Sequence, residues 1–490
     1  MMRLSKSVPT LRLATIGPVL MLFASLAVAS DFEDGMKFVL SKDYTRAVQS
    51  FRKAANEGNA DAQFNLGVLY SRGRGVPQDH EQAAKWYRKA AEQGDAPAQS
   101  MLGYMYLKGQ GVPQDYQQAM FWYFRAADSG HAVAQYNLGV MYAKGQGVEQ
   151  DYRHALSWYL KAAEQGHAPA QAIMGFMYLK GQGVEQDDQQ AATWYRTAAE
   201  QGFAEAQYSL GVLYAKGRGV AQSDQEAVSW YRKAAEQGNA DAQFNLAVMY
   251  SAGEGVAQDY RQAAAWYRKA SDQGYARAQF KLGVAYARGR GVPEDDYEAA
   301  AWYRKAAEQG YAPAQFNLGV MYATGKGVIQ DDRQAVSWYR RAAEQGDPDA
   351  QYNLGVRYDT GRGIEKDTQQ AIAWYRKAAE QGYARAQYSL GVKYDSGQGV
   401  PHDYAQALAW YLKAAEQGHL AAQTNLGVLY YNGNGVKQDY VEADKWFSIA
   451  SAGSYEDAKE NRELMEKLMT PMQIGDARRE ADEWTKTRQK

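Results

Sequence analysis

Few residues of this chain have types and spacing that could support catalysis. Ser50 and Lys53 form a Ser-x-x-Lys pattern, which supplies the serine nucleophile and its neighbouring lysine in penicillin-binding proteins and β-lactamases. The Ser-Asp-Asn and Lys-Thr-Gly motifs that accompany it there do not occur in this sequence. Ser50 also stands where later, related segments of the chain have tryptophan. A β-lactam hydrolase is therefore a minor alternative, and we predict no enzymatic activity.

Phosphate and metal binding are two further chemistries that residue types could suggest. Gly73-x-Gly75 is a short glycine-rich loop, but it has no strand before it and no third glycine, and it recurs along the chain. His131, His167 and His419 are three of six histidines and lie far apart in sequence. The absence of cysteine excludes disulfides, cysteine–zinc sites and thiol catalysis. We expect structural turns, no metal site and no cofactor.

Composition and charge set the broad class of protein. The chain has 490 residues, of which 46% are hydrophobic and 23% charged, and its formal net charge is −1. This composition is globular rather than disordered. A dedicated nucleic-acid binder would carry a strong excess of basic residues, so we expect no nucleic-acid partner.

The N-terminus has the pattern of an export signal. Arg3, Lys6 and Arg12 make a basic leading region, and an apolar stretch over 13–29 ends in the small-x-small sequence Ala-Val-Ala. The apolar stretch is interrupted by glycine and proline, which makes it marginal for crossing a membrane. We predict a cleaved signal peptide over 1–29 and a periplasmic location, with secretion or an uncleaved anchor as alternatives. No later stretch is apolar enough to span a membrane.

A single repeat accounts for most of the remaining chain. Tryptophan recurs with a spacing of 36 residues at positions 86, 122, 158, 194, 230, 266, 302, 338, 374, 410 and 446. A fixed period of this length is typical of a solenoid. With Asn59 as repeat position 1, eleven copies run to residue 454. The predicted first helix covers repeat positions 2–14, and the second covers positions 22–34.

Helix start and stop signals support this division. Gly73 is placed to end the first helix, and Asp79 with Gln82 forms a capping pattern for the second. Residues 30–58 read as a shorter capping repeat, and residues 455–490 as capping helices. The sequence therefore predicts an all-α fold, a right-handed α/α superhelical solenoid of about twelve helix-turn-helix repeats with a C-terminal helical cap.

The repeat resembles a known family. Gly67, Tyr70, Ala83, Tyr87 and Ala90 match the tetratricopeptide pattern with four residues inserted in the loop. The segments AQFNLGVLYSRGRGVPQD and AAKWYRKAAEQG are similar to the Sel-one-like repeat (SLR) family, and NRELMEKLMTPMQIGDARREADEW resembles the ending of exported bacterial members. The resemblance implies an adaptor or scaffold without fixing a partner. Family members are linked to envelope polysaccharide export, signalling regulation and host contact.

Variable first-helix positions suggest where a partner would bind. In tetratricopeptide arrays the corresponding face lines a concave groove. Repeats two and four carry large apolar residues at positions 10 and 13, asparagine recurs at position 7, and position 14 is basic in five repeats. Alternatively, the apolar residues and the asparagines pack between neighbouring helices, and the basic residues at position 14 stabilise the C-terminus of the first helix. The predicted partner-binding residues are Tyr104, Leu107, Phe176, Leu179, Asn65, Asn137, Lys108, Lys144 and Lys180.

These observations predict a non-enzymatic protein- or peptide-binding scaffold in the bacterial cell envelope. The alternative is binding of cell-wall glycan or exopolysaccharide as part of an envelope assembly.

Two further expectations concern packing. Position 9 is glycine in ten repeats and Ala247 in one, so Gly211→Ala or Gly283→Ala should be close to neutral. Repeats nine and ten carry charged residues at positions 11 and 13, such as Lys393 and Asp359, and we expect these side chains to lie on a solvated face.

Overall fold

The computed structural model describes residues 23–488, and every regular element in that part of the chain is an α-helix. The capping repeat is α1 (Phe23–Leu40) and α2 (Tyr44–Asn56). The helix pairs of the first compact unit, which ends at Gln258, are α3 (Ala60–Arg72), α4 (His80–Glu92), α5 (Ala96–Lys108), α6 (Tyr116–Asp128), α7 (Ala132–Lys144), α8 (Tyr152–Glu164), α9 (Ala168–Lys180), α10 (Asp188–Glu200), α11 (Ala204–Lys216) and α12 (Asp224–Glu236), followed by α13 (Ala240–Ala252).

The second compact unit begins at Asp259. Its helices are α14 (Tyr260–Asp272), α15 (Ala276–Ala287), α16 (Asp296–Glu308), α17 (Ala312–Thr324), α18 (Asp332–Glu344), α19 (Pro348–Thr360), α20 (Thr368–Glu380), α21 (Ala384–Ser396), α22 (Tyr404–Glu416), α23 (Leu420–Asn432), α24 (Tyr440–Ala452), α25 (Glu456–Glu466) and α26 (Pro471–Arg488). Within each unit, consecutive helices pack on one another. The predicted all-α solenoid of helix pairs is confirmed.

The predicted helix boundaries follow from their capping residues. Asp79 accepts a hydrogen bond from the backbone N–H of Gln82 at 2.9 Å, and Gly73 ends α3 in the left-handed conformation with φ 63°. The sequence Thr470-Pro471-Met472-Gln473 predicts the start of a last helix, and Thr470 and Gln473 exchange capping hydrogen bonds at the start of α26. The sequence Ser454-x-x-Asp457 also predicts a helix start, but Ser454 has a positive φ of 64° and Tyr455 takes the cap position of α25 without a side-chain bond.

The N-terminal helix differs from the expectation. The sequence around Ser30 looked like a helix start just after the predicted cleavage site. In the full chain α1 already begins at Phe23, so Ser30 lies inside it. Residues 1–22 of the predicted signal peptide lie outside the described residues.

Small residues and a buried glutamine hold the helix pairs together. Ala62, Ala83 and Ala90, at repeat positions 4, 25 and 32, are fully buried. Gln63 donates its side-chain N–H to the carbonyl of Ala55 in the preceding repeat at 3.0 Å, and its Oε1 accepts from Gln93 at 2.7 Å. The bond to the carbonyl of the preceding repeat recurs along both units, and in most repeats a second glutamine donates to the Oε1 in the same way. The Oε1 atoms of Gln99 and Gln423 have no such partner among residues 23–488. This arrangement satisfies a polar group that would otherwise be costly to bury.

The expectation for glycine at position 9 is wrong. A Cβ atom added to Gly211 or Gly283 would lie 2.7 Å from ring carbons of Tyr231 or Tyr303. Such an approach forces the tyrosine ring to move, and overpacking a filled core is destabilising. Ala247 shows that one repeat accommodates the methyl group, but it does not make the other interfaces permissive. We now expect Gly211→Ala to lower the free energy of unfolding.

Candidate functional site

The predicted apolar site residues lie on two first helices of unit 1, α5 and α9. Tyr104 on α5 and Phe176 and Leu179 on α9 are half-buried. Tyr104 packs against the cluster that contains Tyr123, and Phe176 and Leu179 pack against the cluster of α9, α10 and α11 that contains Tyr195. These three side chains therefore combine packing with some exposed surface.

A compensating exchange explains why aromatic residues occupy position 10 in these two repeats. In eight of the other nine repeats position 6 is aromatic, and repeat eleven has Thr424 there. The aromatic residue contacts the tyrosine at position 29, as in Phe64 and Tyr87 with ring centroids 5.7 Å apart. In repeats two and four position 6 is Ser100 or Ala172, and position 10, one helical turn later, is aromatic. The pairing of a small residue at position 6 with a large one at position 10 was visible in the sequence and was missed.

Three predicted residues are enclosed by protein. Leu107 is 2% exposed, Asn137 is 3% exposed and Asn65 is fully buried. The Nδ2 of Asn65 contacts the sulfur of Met36 at 3.6 Å. A residue at this level of burial presents no surface to a partner, so we remove these three from the predicted binding set. Leu107 at position 13 and the two asparagines at position 7 therefore face neighbouring helices instead of the open face.

Asparagine at position 7 has a structural role in another repeat. Asn425 donates through Nδ2 to the hydroxyl of Tyr411 in the preceding repeat at 3.0 Å. The Oδ1 of Asn137 is buried and has no hydrogen-bond partner within residues 23–488. These observations favour the packing interpretation of position 7.

The lysines at position 14 are exposed. Lys108, Lys144 and Lys180 are the last residues of α5, α7 and α9, each directly before a left-handed glycine. Cations at a helix C-terminus are favoured by the helix dipole, and these side chains also face solvent. Two of these lysines end the helices that carry Tyr104, Phe176 and Leu179, and Lys144 ends the helix between them in sequence.

The charges of the later repeats do not form a solvated face. The side chain of Lys393 is 8% exposed, and its Nζ lies 2.8 Å from Asp359. Arg357, with 11% of its side chain exposed, pairs with Asp332 at 2.5 Å. Both cations occupy repeat position 11, which is apolar in the other copies. The charges are therefore internal ion pairs between helices.

The three histidines at position 1 act as helix N-caps. The Nδ1 atoms of His131, His167 and His419 accept hydrogen bonds from backbone N–H groups at 3.2–3.3 Å. Burial, with the charge of His131 as a smaller cause, lowers the pKa of His167 to about 4. Among residues 23–488, no group of three histidine, aspartate or glutamate side chains could hold a metal ion.

One exposed feature was overlooked in the sequence. Phe121 and Phe124 on α6 are 51% and 53% exposed, although the other second helices of the eleven repeats carry polar or small residues at position 27 and mostly arginine at position 30. The sequence signal is Phe124 at position 30, where most copies have arginine, together with Phe121 at position 27, where no other copy has a large apolar residue. No described helix is both long and apolar enough to cross a membrane.

The fold and these surfaces define an α-helical repeat solenoid whose candidate binding groups lie on the helices. The chain belongs to the Sel1 repeat family, which matches twelve consecutive stretches that together span residues 30–455. This confirms the resemblance seen in the repeat sequence.

A solved crystal structure shows the same architecture. The crystal structure of c5321, described as a protective antigen of uropathogenic Escherichia coli with an SLR fold, is 43% identical. It covers 90% of this chain and 94% of that one with a TM-score of 0.82. A Sel1 repeat protein from Oxalobacter formigenes is 36% identical, covers 62% of this chain and 87% of its own, and has a TM-score of 0.49.

A curated relative matches over a short segment. The DAP3-binding cell death enhancer 1 of Rattus norvegicus is 42% identical over 55 residues, which is 11% of each chain. The two proteins thus share a short stretch of similar repeats, and the match does not extend over the rest of either chain. Sel1 repeat solenoids are commonly protein-interaction scaffolds and are generally non-catalytic.

Proposed function

We propose that this chain is an exported, non-enzymatic scaffold that binds a protein or peptide partner in the bacterial cell envelope. The observation that carries the proposal is the uninterrupted run of twelve Sel1 repeats over residues 30–455, because proteins of this family bind protein partners. The basic, apolar and small-x-small order of residues 1–29 supports export.

The proposed contact surface is the open face of α5, α7 and α9. Tyr104 and Phe176 offer partly exposed rings, and aromatic side chains tend to dominate binding energy. Lys108, Lys144 and Lys180 add exposed positive charge beside them. A peptide with apolar side chains and nearby carboxylates fits this combination.

The class of partner is tested by parallel binding assays. The mature chain should capture a defined protein from envelope extract, and it should not co-sediment with peptidoglycan or exopolysaccharide. It should also leave a chromogenic β-lactam unhydrolysed. Saturable glycan binding without protein capture would replace the proposal with the polysaccharide alternative, and β-lactam turnover would overturn it.

The contact surface is tested by moving the aromatic side chains instead of deleting them. Ser100→Phe with Tyr104→Val, combined with Ala172→Tyr and Phe176→Val, gives both repeats the pattern that other copies carry at positions 6 and 10. The core stays filled while the surface rings are lost. We expect capture to weaken by about 2 kcal/mol or more, the usual threshold for a hot spot. Unchanged capture by the folded variant would show that these rings serve packing alone.

Export is tested by intact-mass analysis of protein from the periplasmic fraction. We expect a species that begins at Ser30. Periplasmic protein that retains residues 1–29, or protein confined to the cytoplasm, would contradict the proposed processing.

A further inference from the structure

A ladder of arginine–tyrosine hydrogen bonds covers the outer side of most second helices. The arginine at position 30 donates through Nη2 to the tyrosine hydroxyl at position 12 of the next repeat, with distances of 2.5–3.3 Å. The pairs are Arg52–Tyr70, Arg88–Tyr106, Arg196–Tyr214, Arg232–Tyr250, Arg268–Tyr286, Arg304–Tyr322, Arg340–Tyr358 and Arg376–Tyr394.

The ladder is interrupted at two adjacent steps in unit 1. Phe124 on α6 and Leu160 on α8 replace the arginine, so neither step can form this bond. Phe121, three residues before Phe124, stands at position 27, where all other copies have lysine, serine, threonine or alanine. Both phenylalanines are about half exposed, at 51% and 53%. No internal packing requirement of the repeat accounts for two large apolar residues here.

These side chains form one contiguous patch. The rings of Phe124 and Trp158 meet edge to face with centroids 6.0 Å apart, which joins α6 to α8. Phe121 contacts Trp122 in the same way at 5.0 Å. Leu160, two residues after Trp158 on α8, is partly buried and packs against the core. We define the aromatic patch as Phe121, Phe124, Trp158 and Leu160. Contiguous exposed apolar surface of this kind usually marks an interaction site.

Cations outnumber acidic residues on the two helices of the aromatic patch. Along α6 and α8 the exposed cations are Arg125, Arg153 and Lys161, and each helix ends in one exposed acidic residue, Asp128 or Glu164. Arg125 lies over the ring of Trp122 at 5.6 Å and Lys161 over Trp158 at 4.1 Å. None of the three cations forms an ion pair within the described part of the chain. Their charge is available to a negatively charged ligand.

We propose that the aromatic patch is a second docking surface, which binds an acidic segment of a protein partner through apolar anchors. This rests on the proposed scaffold function and adds a surface on the second helices to the one on the first helices. A second copy of this chain would bring like charges together. The patch is also small beside the roughly 800 Å² per partner of a standard interface, which suits a short segment better than a dimer.

The test uses a variant that restores the common repeat. Phe121→Ser with Phe124→Arg introduces the residues that repeat five carries at positions 27 and 30, and it permits the missing bond to Tyr142. Folding is therefore expected to be kept and is checked by circular dichroism. The matched control is Tyr297→Gln, which removes a 77% exposed tyrosine of unit 2 and introduces the glutamine that repeat two has there.

The probe is a synthetic amphipathic peptide with leucine and phenylalanine on one face and glutamate on the other. Fluorescence anisotropy should show binding to the full chain and to the Tyr297→Gln control. The affinity should fall by about tenfold or more, equivalent to about 1.4 kcal/mol, in the variant Phe121→Ser with Phe124→Arg. An equal loss is expected when lysine replaces glutamate in the peptide. Higher salt should weaken binding further.

A variant that removes one positive charge tests the electrostatic part of the binding independently of the aromatic rings. Lys161→Thr, the residue that repeat four carries at position 31, should weaken the acidic peptide without changing helicity. Equal binding by the phenylalanine variant would overturn the proposal, as would equal binding of acidic and basic peptides. So would displacement of the peptide by phosphatidylglycerol vesicles or dextran sulfate at equal charge. Continued envelope capture by the phenylalanine variant would reject this surface while leaving the scaffold function intact.

Discussion

Repeats two to four and repeats nine and ten fill the same positions of one template with opposite chemistry. At position 11 the early repeats have methionine, as in Met105, and the later ones have Arg357 and Lys393. At position 13 Leu107 contrasts with Asp359. Both sets are built into helix pairs of the same length. The backbone is thus the same in both regions, whereas the contacts between repeats are apolar in repeats two to four and ionic in repeats nine and ten.

The difference extends to the tyrosine at position 29. In the later repeats, position 13 is an aspartate that accepts from the tyrosine hydroxyl, as Asp395 does from Tyr411 at 3.1 Å. In repeat two the same position is Leu107, and the hydroxyl of Tyr123 is left without a partner among residues 23–488. Burial raises the pKa of Tyr123 far above its usual range. The early region therefore contains an unpaired polar group in an apolar setting.

Breaking one ion pair should have the largest effect. Asp359→Ala leaves the ammonium of Lys393 buried without its carboxylate partner, and removing one member of a buried pair costs about 3–5 kcal/mol. The measurement is denaturant unfolding of the full chain. The control replaces both residues, Lys393→Met with Asp359→Ala, which copies Met321 and Ala323 of repeat eight. The double variant should recover most of the loss. An equal loss in both would mean that the pair has no special role.

Lowering the pH should destabilise the early region, because it protonates His167 and weakens the helix cap that this residue forms. The pKa of His167 in the folded chain is about 4, below the value of about 6.5 expected when unfolded. The unfolded chain then binds more protons between these values, so the free energy of unfolding falls as the pH drops from about 6.5 to 4. The contribution is on the order of 2–3 kcal/mol. Stability is measured across this pH range.

His167→Asn is the matched control for this pH dependence. Asparagine caps the equivalent helix at Asn239, where its oxygen accepts from Ala242 at 2.9 Å. The variant should keep the cap and lose the part of the acid sensitivity that belongs to His167. Identical pH profiles for the variant and the native chain would show that this cap does not titrate in the window.

A hydroxyl deletion should have opposite signs in the two regions. Tyr123→Phe removes a buried hydroxyl that lacks a partner and should stabilise the chain by about 1 kcal/mol. Tyr411→Phe removes a hydroxyl that bonds to Asp395 and Asn425 and should destabilise it by about 1–2 kcal/mol. Thermal or denaturant unfolding compares the two. Changes of the same sign would mean that Tyr123 has an unseen partner.

The sequence was sufficient for the repeat architecture because the signals are local and repeated. Gly73 ends a helix and Asp79 begins one through their own backbone geometry, and eleven copies reinforce each other. The binding surface was harder to predict. Whether Leu107 or Lys393 is buried depends on the neighbouring repeat, which a helical wheel of one helix does not include.

Compensation between positions explains other differences from expectation. Because position 10 is usually valine, the sequence predicts Tyr104 to be a surface group, but Ser100 one turn earlier leaves space for its ring. Ala247 suggests that Gly211 is replaceable, but the space at Gly211 is limited by the ring of Tyr231. Such pairs are found by comparing positions within one repeat.

Site-specific photocrosslinking in intact cells tests the central claim most directly. A photoreactive amino acid would replace Lys144 between the two apolar sites of the first helices, Phe121 in the aromatic patch, and exposed Ala301 of unit 2 as a control. The account predicts a discrete protein adduct from Lys144 or Phe121, and none from Ala301. Adducts of equal intensity from all three positions, or glycan adducts without protein at Lys144 and Phe121, would contradict a protein-binding scaffold that works through unit 1.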